Sequence, residues 1–380
     1  MKNKEHVFIV ALLVLLIVVR AAHTRGWVDV GAPAGQLLET MSNRGLNKEA
    51  REALTAGYYE GLLNEGSRVS SMNRLVTDNR RLTFENRAAA DRRQVNSFVF
   101  YELAPNMDQP DYDDDRSRYR LKTNSQGLAD KEYALEKPPG VRRIAILGDS
   151  ITRGQGAPFG GNYESLLEAR LNEAHVGGPT RGFEVLNFSV GSYNITQVMD
   201  VALEKAPQFE TDVYVVALTH LSVYRRWGQH IALLMHNGID LKYDYLRQLS
   251  RDAGLDPAEP IGVFDAKLAR FRLPTLRWAL GQVKQHADSR GARLIVLMIP
   301  TVDPSKVSQE AFLGVREMLR DIDVAYVDLL DAFDQFPDLE PYAVAERDRH
   351  PNAAGHQVLF ERLYEGLRSD PKAWQILTGS

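Results

Sequence analysis

From residue 142 onward, short apolar runs alternate with longer stretches of helical periodicity, and this alternation constrains the fold most strongly. The apolar runs are continuously hydrophobic, which is typical of strands buried on both faces of a parallel sheet. We predict strands at 144–147, 185–188, 213–218, 294–299 and 324–329. We predict helices at 163–171, 196–203, 309–319 and 353–367, and a helical region at 265–291 that Pro274 bends or splits. The pattern therefore predicts an α/β domain whose parallel sheet is covered by helices on both faces.

The N-terminus has the composition of a membrane-directed segment. Lys2 and Lys4 precede an unbroken apolar run at 7–19, which Arg20 ends. Two interpretations stay open: a cleaved secretory signal peptide, or an uncleaved signal-anchor with a transmembrane helix. The signal-anchor predicts a single-pass protein of the cell membrane with an extracytoplasmic domain, whereas cleavage predicts a secreted or periplasmic protein.

The chain divides into three predicted parts. These are the signal peptide or signal-anchor at 1–26, a helical extension and lead-in at 27–122, and a catalytic-type α/β domain at 123–380. In the second part we predict helix over 34–93 and a strand in FVFYELAP at 98–105, which Pro105 ends. Near the end of the extension, Asp108, Asp111 and the run 113–115 form an acidic cluster. The cluster lacks the glycine and terminal glutamate of an EF-hand loop, so we expect a solvated loop rather than a calcium site.

Composition excludes several classes of function. The formal net charge is −4, which disfavours nucleic acid as the main partner, because phosphate neutralisation needs clustered Lys and Arg. The chain has no cysteine. Disulfides, thiolate zinc sites and a cysteine nucleophile are therefore excluded.

The segment 142–158, RRIAILGDSITRGQGAP, ends a predicted strand on Gly148, Asp149 and Ser150. In open α/β sheets, sites lie outside the carboxyl ends of the strands. Ser150 is also near the start of the next helix, where free N–H groups favour an alkoxide or an oxyanion. The same position suits a helix N-cap serine, so the segment alone leaves both roles open.

A candidate base for this serine lies near the C-terminus, in ERDRHPNAAGHQVLFERL at 346–363. Proline is favoured at the first position of a helix, so we predict a helix that begins at Pro351. This places His350 at the cap of that helix, on the same edge of the sheet as Ser150. Asp348 can bond one ring nitrogen of His350 and leave the other facing a serine, as in a catalytic triad. Glu346 is the alternative orienting carboxylate. A capping histidine and a loop carboxylate are the structural alternatives.

Three segments, GDSITRGQG, VLNFSVGSYN and DRHPNAAGH, resemble in this order the first, second and fifth blocks of the SGNH (GDSL-type) hydrolase superfamily. The upstream TNSQGL resembles the lead-in of many bacterial members, so 123–380 resembles an SGNH hydrolase domain. The resemblance implies a flavodoxin-like three-layer α/β/α sandwich, in a membrane-anchored or secreted protein that hydrolyses esters without a metal or an organic cofactor. By position, Ser150 resembles the nucleophile, His350 the base and Asp348 its orienting acid.

The oxyanion hole departs from the family pattern. Gly191 resembles the second-block glycine whose N–H joins that of Ser150, but the usual third-block asparagine is missing and His220 stands where it is expected. We expect His220 to donate a ring N–H to the oxyanion. Two alternatives stay open: Asn194 or Asn187 reaches in instead, or the site is weak or inactive.

The sequence thus predicts a serine esterase that hydrolyses a carbohydrate or other small ester, including by deacetylation, through an acyl-enzyme. A lipase or lysophospholipase-type esterase and an O-acyltransferase are the enzymatic alternatives. The missing asparagine also keeps open a catalytically weak, membrane-anchored scaffold in envelope polysaccharide assembly. Residues 193 and 224–227 are candidates for a sugar cleft. The expected partners are an acylated carbohydrate or lipid and, through the N-terminal segment, a membrane.

Overall fold

The structure is a computed structural model that describes residues 92–111, 119–174, 180–224, 227–346 and 348–379. The predicted signal or anchor segment and the predicted extension up to residue 91 lie outside these residues. Within the described ranges, no helix combines the length and the apolar character needed to span a bilayer.

The described part of the chain contains short strands near its start and an alternation of strands and helices after residue 141. The strands are β1 (Arg92–Gln94), β2 (Tyr101–Leu103), β3 (Asp108–Pro110), β4 (Arg120–Lys122), β5 (Val141–Leu147), β6 (Gly182–Asn187), β7 (Val213–Leu218), β8 (Arg293–Met298), β9 (Ala325–Asp328), β10 (Ala343–Ala345) and β11 (Asp348–Pro351). The helices are α1 (Ser150–Arg153), α2 (Tyr163–Glu173), α3 (Ile195–Glu204), α4 (His220–Tyr224), α5 (Trp227–His236), α6 (Asp244–Asp252), α7 (Ile261–Leu268), α8 (Arg272–Ser289), α9 (Ser305–Ala311), α10 (Val315–Asp321), α11 (Ala353–Ser369) and α12 (Pro371–Thr378).

Strands β5 to β9 form one parallel sheet of five strands in the order β6-β5-β7-β8-β9. Counted along the chain this is the 2-1-3-4-5 order of flavodoxin-like folds. The predicted parallel sheet is confirmed, and its strands lie where the apolar runs predicted them. Because all the strands are parallel, their carboxyl ends lie at one edge of the sheet, where Ser150 follows β5.

Helices cover both faces of this sheet, because successive side chains of each strand enter different cores. Ala145 and Leu147 of β5 pack into a core that includes buried residues of α3, α5 and α8. Ile144 and Ile146 pack into a second core with α2, α11 and α12. The predicted three-layer α/β/α sandwich is therefore confirmed.

The residues before the sheet pack against it as strands and loops. Strand β1 pairs with β2, and β3 with β4, both antiparallel. Phe98, Phe100 and Leu103 join the first core. The predicted strand at 98–105 is confirmed by β2. The predicted helical stretch at 34–93 lies outside the described residues except for 92 and 93, which belong to β1. The predicted boundaries at residues 26 and 122 stay predictions.

The predicted single helix at 309–319 is wrong, because two helices occupy this region. Helix α9 ends at Ala311 and α10 begins at Val315. Gly314 between them has a φ of 77°, a left-handed conformation that favours glycine and interrupts a helix.

The predicted interruption of the region 265–291 lies slightly earlier than the proline suggests. Helices α7 and α8 are separated by a 3-10 turn at Ala269–Phe271. Pro274 lies in the first turn of α8, where its missing N–H costs no helical hydrogen bond.

Gly355 allows helix α11 to begin in close contact with the turn before β10. A β-carbon at Gly355 would lie 2.4 Å from the carbonyl oxygen of Tyr342 and 2.9 Å from Cβ of Pro351. We therefore expect Gly355→Ala to lower the free energy of unfolding by about 3 kcal/mol. In thermal melts of a chain of this size this corresponds to a decrease of about 4 to 5 °C in Tm.

The matched control is Gly281→Ala in the middle of α8, where a β-carbon would meet nothing within 4 Å. Alanine there should raise stability by about 0.5 to 1 kcal/mol, because its helix propensity is higher. If the two variants melted at the same temperature, the close approach at Gly355 would not have the stated effect.

Candidate active site

The turn after β5 presents Ser150 at the first position of α1. A β-carbon at Gly148 would lie 2.5 Å from Oγ1 of Thr152, so only glycine fits there. The cap of α1 is Asp149, whose carboxylate accepts the Ile151 N–H at 3.0 Å. The alternative that Ser150 is an N-cap serine is therefore wrong, and its hydroxyl is not used in capping.

Strand β11 brings His350 and Asp348 to this hydroxyl. Oγ of Ser150 lies 2.7 Å from Nε2 of His350. Nδ1 of His350 lies 2.6 Å from Oδ1 of Asp348. A carboxylate only accepts hydrogen bonds, so Nδ1 carries the ring proton and Nε2 accepts from the serine. The three side chains that the sequence predicts as a triad therefore form one hydrogen-bonded chain; their catalytic roles stay predictions.

The backbone that carries His350 differs from the prediction. His350 and Pro351 lie in β11, which pairs antiparallel with β10, and α11 begins only at Ala353 with Asn352 as its N-cap. The prediction of Pro351 as the first helical residue is wrong.

The charges around His350 suit a general base. Burial favours the neutral ring and lowers the pKa of His350, but the charge and hydrogen bond of Asp348 outweigh this, and the pKa is raised above its usual value. Asp149 raises this pKa further, whereas Arg153 lowers it. The side chain of Asp348 is 5% exposed and that of His350 is 24% exposed, so the acid is shielded while the base is accessible.

The backbone N–H groups of Ser150 and Gly191 lie near the serine hydroxyl and have no acceptor among the described residues. A β-carbon at Gly191 would lie 3.8 Å from Cβ of Ser150, so the two segments are adjacent. In the described residues, neither the N–H of Ser150 nor that of Gly191 donates a hydrogen bond to another group. This is the pattern expected of oxyanion-hole donors before an ester binds.

Three side chains are candidates for the oxyanion donor that the missing asparagine would supply, namely His220, Asn194 and Asn187. His220 is the first residue of α4 and is half-buried, and Ser150 makes no hydrogen bond to it within the described structure. Its role as an oxyanion donor stays a prediction. The amide of Asn194 donates to Gln197 at 3.1 Å in the capping box of α3, and the amide of Asn187 donates to the Thr152 carbonyl at 2.8 Å. Both are used within the fold.

Asn187 links the nucleophile turn to the loop that carries Gly191, a role that the sequence alone did not indicate. Its Nδ2 donates to the carbonyl of Thr152 in α1 and, at 3.3 Å, to Oε1 of Glu164. Its Oδ1 accepts the Ser189 N–H at 3.0 Å. Asn187 therefore joins helix α1, which carries Ser150, to the loop that leads to Gly191.

Glu164 supports Asn187 as a buried acid. It is 1% exposed, and burial, followed by the charge of Asp130, raises the pKa of Glu164 well above its usual value. A carboxyl group whose pKa is higher in the folded state than in the unfolded state stabilises the fold fully at a pH below the unfolded-state pKa. This stabilisation decreases as the pH rises from the unfolded-state pKa to the folded-state pKa. The protein should therefore lose stability with rising pH through this group.

We expect Glu164→Gln to reduce this loss, because glutamine keeps the acceptor for Asn187 and cannot ionise. In urea unfolding at pH 6, 7.5 and 9, the stability of the variant relative to the unmodified protein should increase with pH, by at most about 1.4 kcal/mol per unit. Glu173→Gln, at the exposed end of the same helix α2, is the control and should show no such trend. A constant difference across pH would contradict the assignment of a neutral Glu164.

The acidic cluster of the lead-in is used in ion pairs where the structure describes it. Asp108 contacts Arg120 at 2.5 Å, and Asp111 contacts Arg153 at 3.1 Å and the Gly156 N–H at 2.8 Å. The run 113–115 lies outside the described residues. Within those residues, no three His, Asp or Glu side chains are grouped as metal ligands.

Comparison with known families gives one match. The model of the GDSL-like Lipase/Acylhydrolase family matches residues 146–358, which is more than half of the chain. The match includes Ser150, Gly191 and His350, and it confirms the resemblance drawn from the three sequence blocks. A comparison with curated protein sequences gives no match.

Comparison with solved structures gives similar folds at low identity. One is the crystal structure of TesA, with 15% identity, a TM-score of 0.39, and coverage of 60% of this chain and 99% of that chain. Another is the acetylxylan esterase Axe2 from Geobacillus stearothermophilus, with 14% identity, a TM-score of 0.40, and coverage of 60% and 94%. A third is a two-domain esterase, CEX, active on acetylated mannans, with 13% identity, a TM-score of 0.40, and coverage of 60% and 49%.

Proposed function

Because this chain belongs to the GDSL-like lipase/acylhydrolase family, a family of ester hydrolases, we propose that it is a serine esterase that acts through an acyl-enzyme on an acylated carbohydrate. The observation that carries the acyl-enzyme step is the chain of hydrogen bonds from Ser150 through His350 to Asp348. The adjacent N–H groups of Ser150 and Gly191 support it.

In the proposed mechanism each group has a role that this geometry supports. As the ester carbonyl approaches Ser150, Nε2 of His350 takes the hydroxyl proton and Oγ attacks the carbonyl carbon. The negative charge that develops on the carbonyl oxygen is stabilised by the two backbone N–H groups. His350 then gives its proton to the departing alcohol. A water molecule, deprotonated by His350, attacks the acyl-enzyme and releases the acid and the free serine.

We place the sugar part of the substrate in a cavity beside α1, which is lined by Arg153 of that helix and not by Ser150 or His350. The cavity has a volume of about 210 Å³. Phe159 at its wall is 50% exposed and offers an apolar ring face. Charged and amide or hydroxyl side chains dominate the lining, namely Asp111, Arg120, Lys122, Asp130, Lys131, Arg153, Asn162, Ser165 and Glu168.

The residues expected to form a sugar cleft do not fit that role where they are described. Tyr193 is 2% exposed and Trp227 is 4% exposed, so both are core residues. The side chain of Tyr224 and the residues 225 and 226 lie outside the described structure. Phe159 and the polar cavity replace them in the proposal.

The proposal includes a location outside the cytoplasm. The basic residues and the apolar run at 7–19 support either a single-pass anchor in the cell membrane or a cleaved signal that leaves a secreted or periplasmic enzyme. An acylated envelope or extracellular polysaccharide is the substrate that this location favours.

A hydrolysis panel with the full-length chain in detergent tests the proposal. The panel contains acetylated oligosaccharides, p-nitrophenyl acetate, p-nitrophenyl palmitate and a lysophospholipid, and free sugars are added in a second series as acyl acceptors. We expect release of acetate from the oligosaccharides and labelling by a fluorophosphonate probe. A preference for the palmitoyl or lysophospholipid ester would instead support a lipase. Acylated sugar as the main product would support a transferase, and no labelling would support an inactive scaffold.

A further inference from the structure

We infer that the hairpin formed by β1 and β2, which precedes the family match in sequence, positions the oxyanion-hole donor Gly191, and that Tyr101 is the positioning residue through which it acts. The inference rests on the proposed function, because it concerns the amide that receives the negative charge of the reaction.

The loop that carries Gly191 needs support from outside itself. Ser192 has a φ of 67°, in the left-handed region that costs a non-glycine residue about 1 to 3 kcal/mol. The loop is tied to the nucleophile turn by the Val190 N–H, which donates to the Gly148 carbonyl at the long distance of 3.4 Å. Within the loop, the Tyr193 N–H donates to the Val190 carbonyl at 3.1 Å, which leaves the Gly191 carbonyl to be bonded from outside. A residue in the left-handed conformation keeps its geometry only when neighbouring groups fix it.

Two tyrosines provide this support through reciprocal hydrogen bonds. The hydroxyl of Tyr101 donates to the carbonyl of Gly191 at 3.4 Å. The hydroxyl of Tyr193 donates back to the carbonyl of Tyr101 at 2.6 Å. Both side chains are buried, and their ring centroids are 5.4 Å apart. The hairpin therefore contacts the residues on both sides of Ser192, where the strain lies.

The hairpin is itself held by the helices that follow the loop. Nε2 of Gln197 in α3 donates to the carbonyl of Val99 at 2.7 Å. Nε2 of His230 in α5 donates to the carbonyl of Phe98 at 2.6 Å. Together with the bond from Tyr193, three carbonyls of the hairpin accept hydrogen bonds from buried side chains. The hairpin and the Gly191 loop are thus fixed to the same helix, α3.

A purely structural role is the competing explanation, because Phe98, Phe100 and Tyr101 also belong to the first core. Such a role would change stability without changing the rate of the chemical step. If the hydroxyl positions a donor that is used only in the transition state, its removal should lower kcat and leave KM unchanged.

The test compares Tyr101→Phe and Tyr193→Phe with Tyr243→Phe in the full-length protein. Each variant removes one tyrosine hydroxyl, but that of Tyr243 bonds to Asp200, farther along α3. With p-nitrophenyl acetate we expect kcat to fall about three- to tenfold in the first two variants, the size of one modest hydrogen bond. KM and the pH dependence of kcat/KM, which reports His350, should stay unchanged. Tyr243→Phe should keep the full kcat.

Hydrogen exchange measured by mass spectrometry gives a second result that does not depend on turnover. Exchange in the peptide covering 188–195 should accelerate in Tyr101→Phe and Tyr193→Phe, whereas exchange in β7 stays as it is. Unchanged kcat and unchanged exchange in both variants, with an active unmodified protein, would overturn the positioning role alone. An unmodified protein that neither hydrolyses esters nor reacts with a fluorophosphonate would overturn the proposed function, and this inference with it.

Discussion

Ser150→Ala is expected to lower kcat/KM for p-nitrophenyl acetate by about 10⁴-fold or more, with no change in fold. The hydroxyl of Ser150 has one hydrogen-bond partner, Nε2 of His350, and alanine removes the atom that forms the acyl-enzyme. Stability should be kept because the cap of α1 is supplied by Asp149 and alanine is favourable within a helix. Hydrolysis rates and thermal melts by circular dichroism measure the two effects.

Ser189→Ala is the matched control for this variant. Ser189 lies in the same region, between Asn187 and Gly191, and is 1% exposed. Its hydroxyl makes no hydrogen bond within the described part of the chain, so alanine removes no interaction. We expect full activity and equal or higher stability. Retained hydrolysis by Ser150→Ala, with the control also active, would remove Ser150 from the mechanism.

The parallel sheet and the proximity of Ser150, His350 and Asp348 were predictable because they follow from the hydrophobic pattern of the strands. Continuous apolar runs such as 213–218 need burial on both faces, which requires a parallel sheet with two helical layers. In a parallel sheet, the loops that follow the carboxyl ends of the strands all lie at one edge. This alone brings Ser150 toward whatever follows the last strands, including His350.

The local details were not predictable, because they depend on contacts between distant segments. Asp149 rather than Ser150 caps α1, and its carboxylate is held by the hydroxyl of Thr219, which follows β7. Pro351 is compatible with a helix start, but pairing of β11 with β10 overrides that local preference. The raised pKa of Glu164 behind Asn187 follows from its burial, which no periodicity in α2 reveals.

The sequence patterns also did not predict that the lead-in, through the β1–β2 hairpin, contacts the loop that carries Gly191. The β1–β2 hairpin has short strands and a turn at Phe100 with a φ of 66°, a conformation unusual for a large side chain. It is stable because side chains from α3 and α5 bond its carbonyls. The predicted domain boundary at residue 122, which follows the start of the family resemblance, therefore separates Tyr101 from the Gly191 loop that it contacts.

Asp348→Asn is expected to lower kcat by about 10² to 10⁴-fold and to move the acid limb of the pH profile to lower pH. The amide group of asparagine offers a donor to Nδ1 and favours the tautomer with the proton on Nε2, which can no longer accept from Ser150. This accounts for the loss of rate at every pH. The geometry should persist, because Asp348 lies in β11 and asparagine has nearly the same shape.

The direction of the pH shift follows from the charge. Hydrolysis needs neutral His350, so kcat/KM rises with pH through the His350 pKa. Burial is the largest single effect and lowers that pKa, but the charge and hydrogen bond of Asp348, together with the charge of Asp149, raise it by more. Without the charge the imidazolium is less favoured, the pKa falls, and half-maximal activity is reached at lower pH. Glu346→Gln is the control, because Glu346 is exposed and was the alternative orienting residue. A pH profile that moves in Glu346→Gln and not in Asp348→Asn would assign the orienting role to Glu346 and contradict the hydrogen-bonded chain on which the mechanism depends.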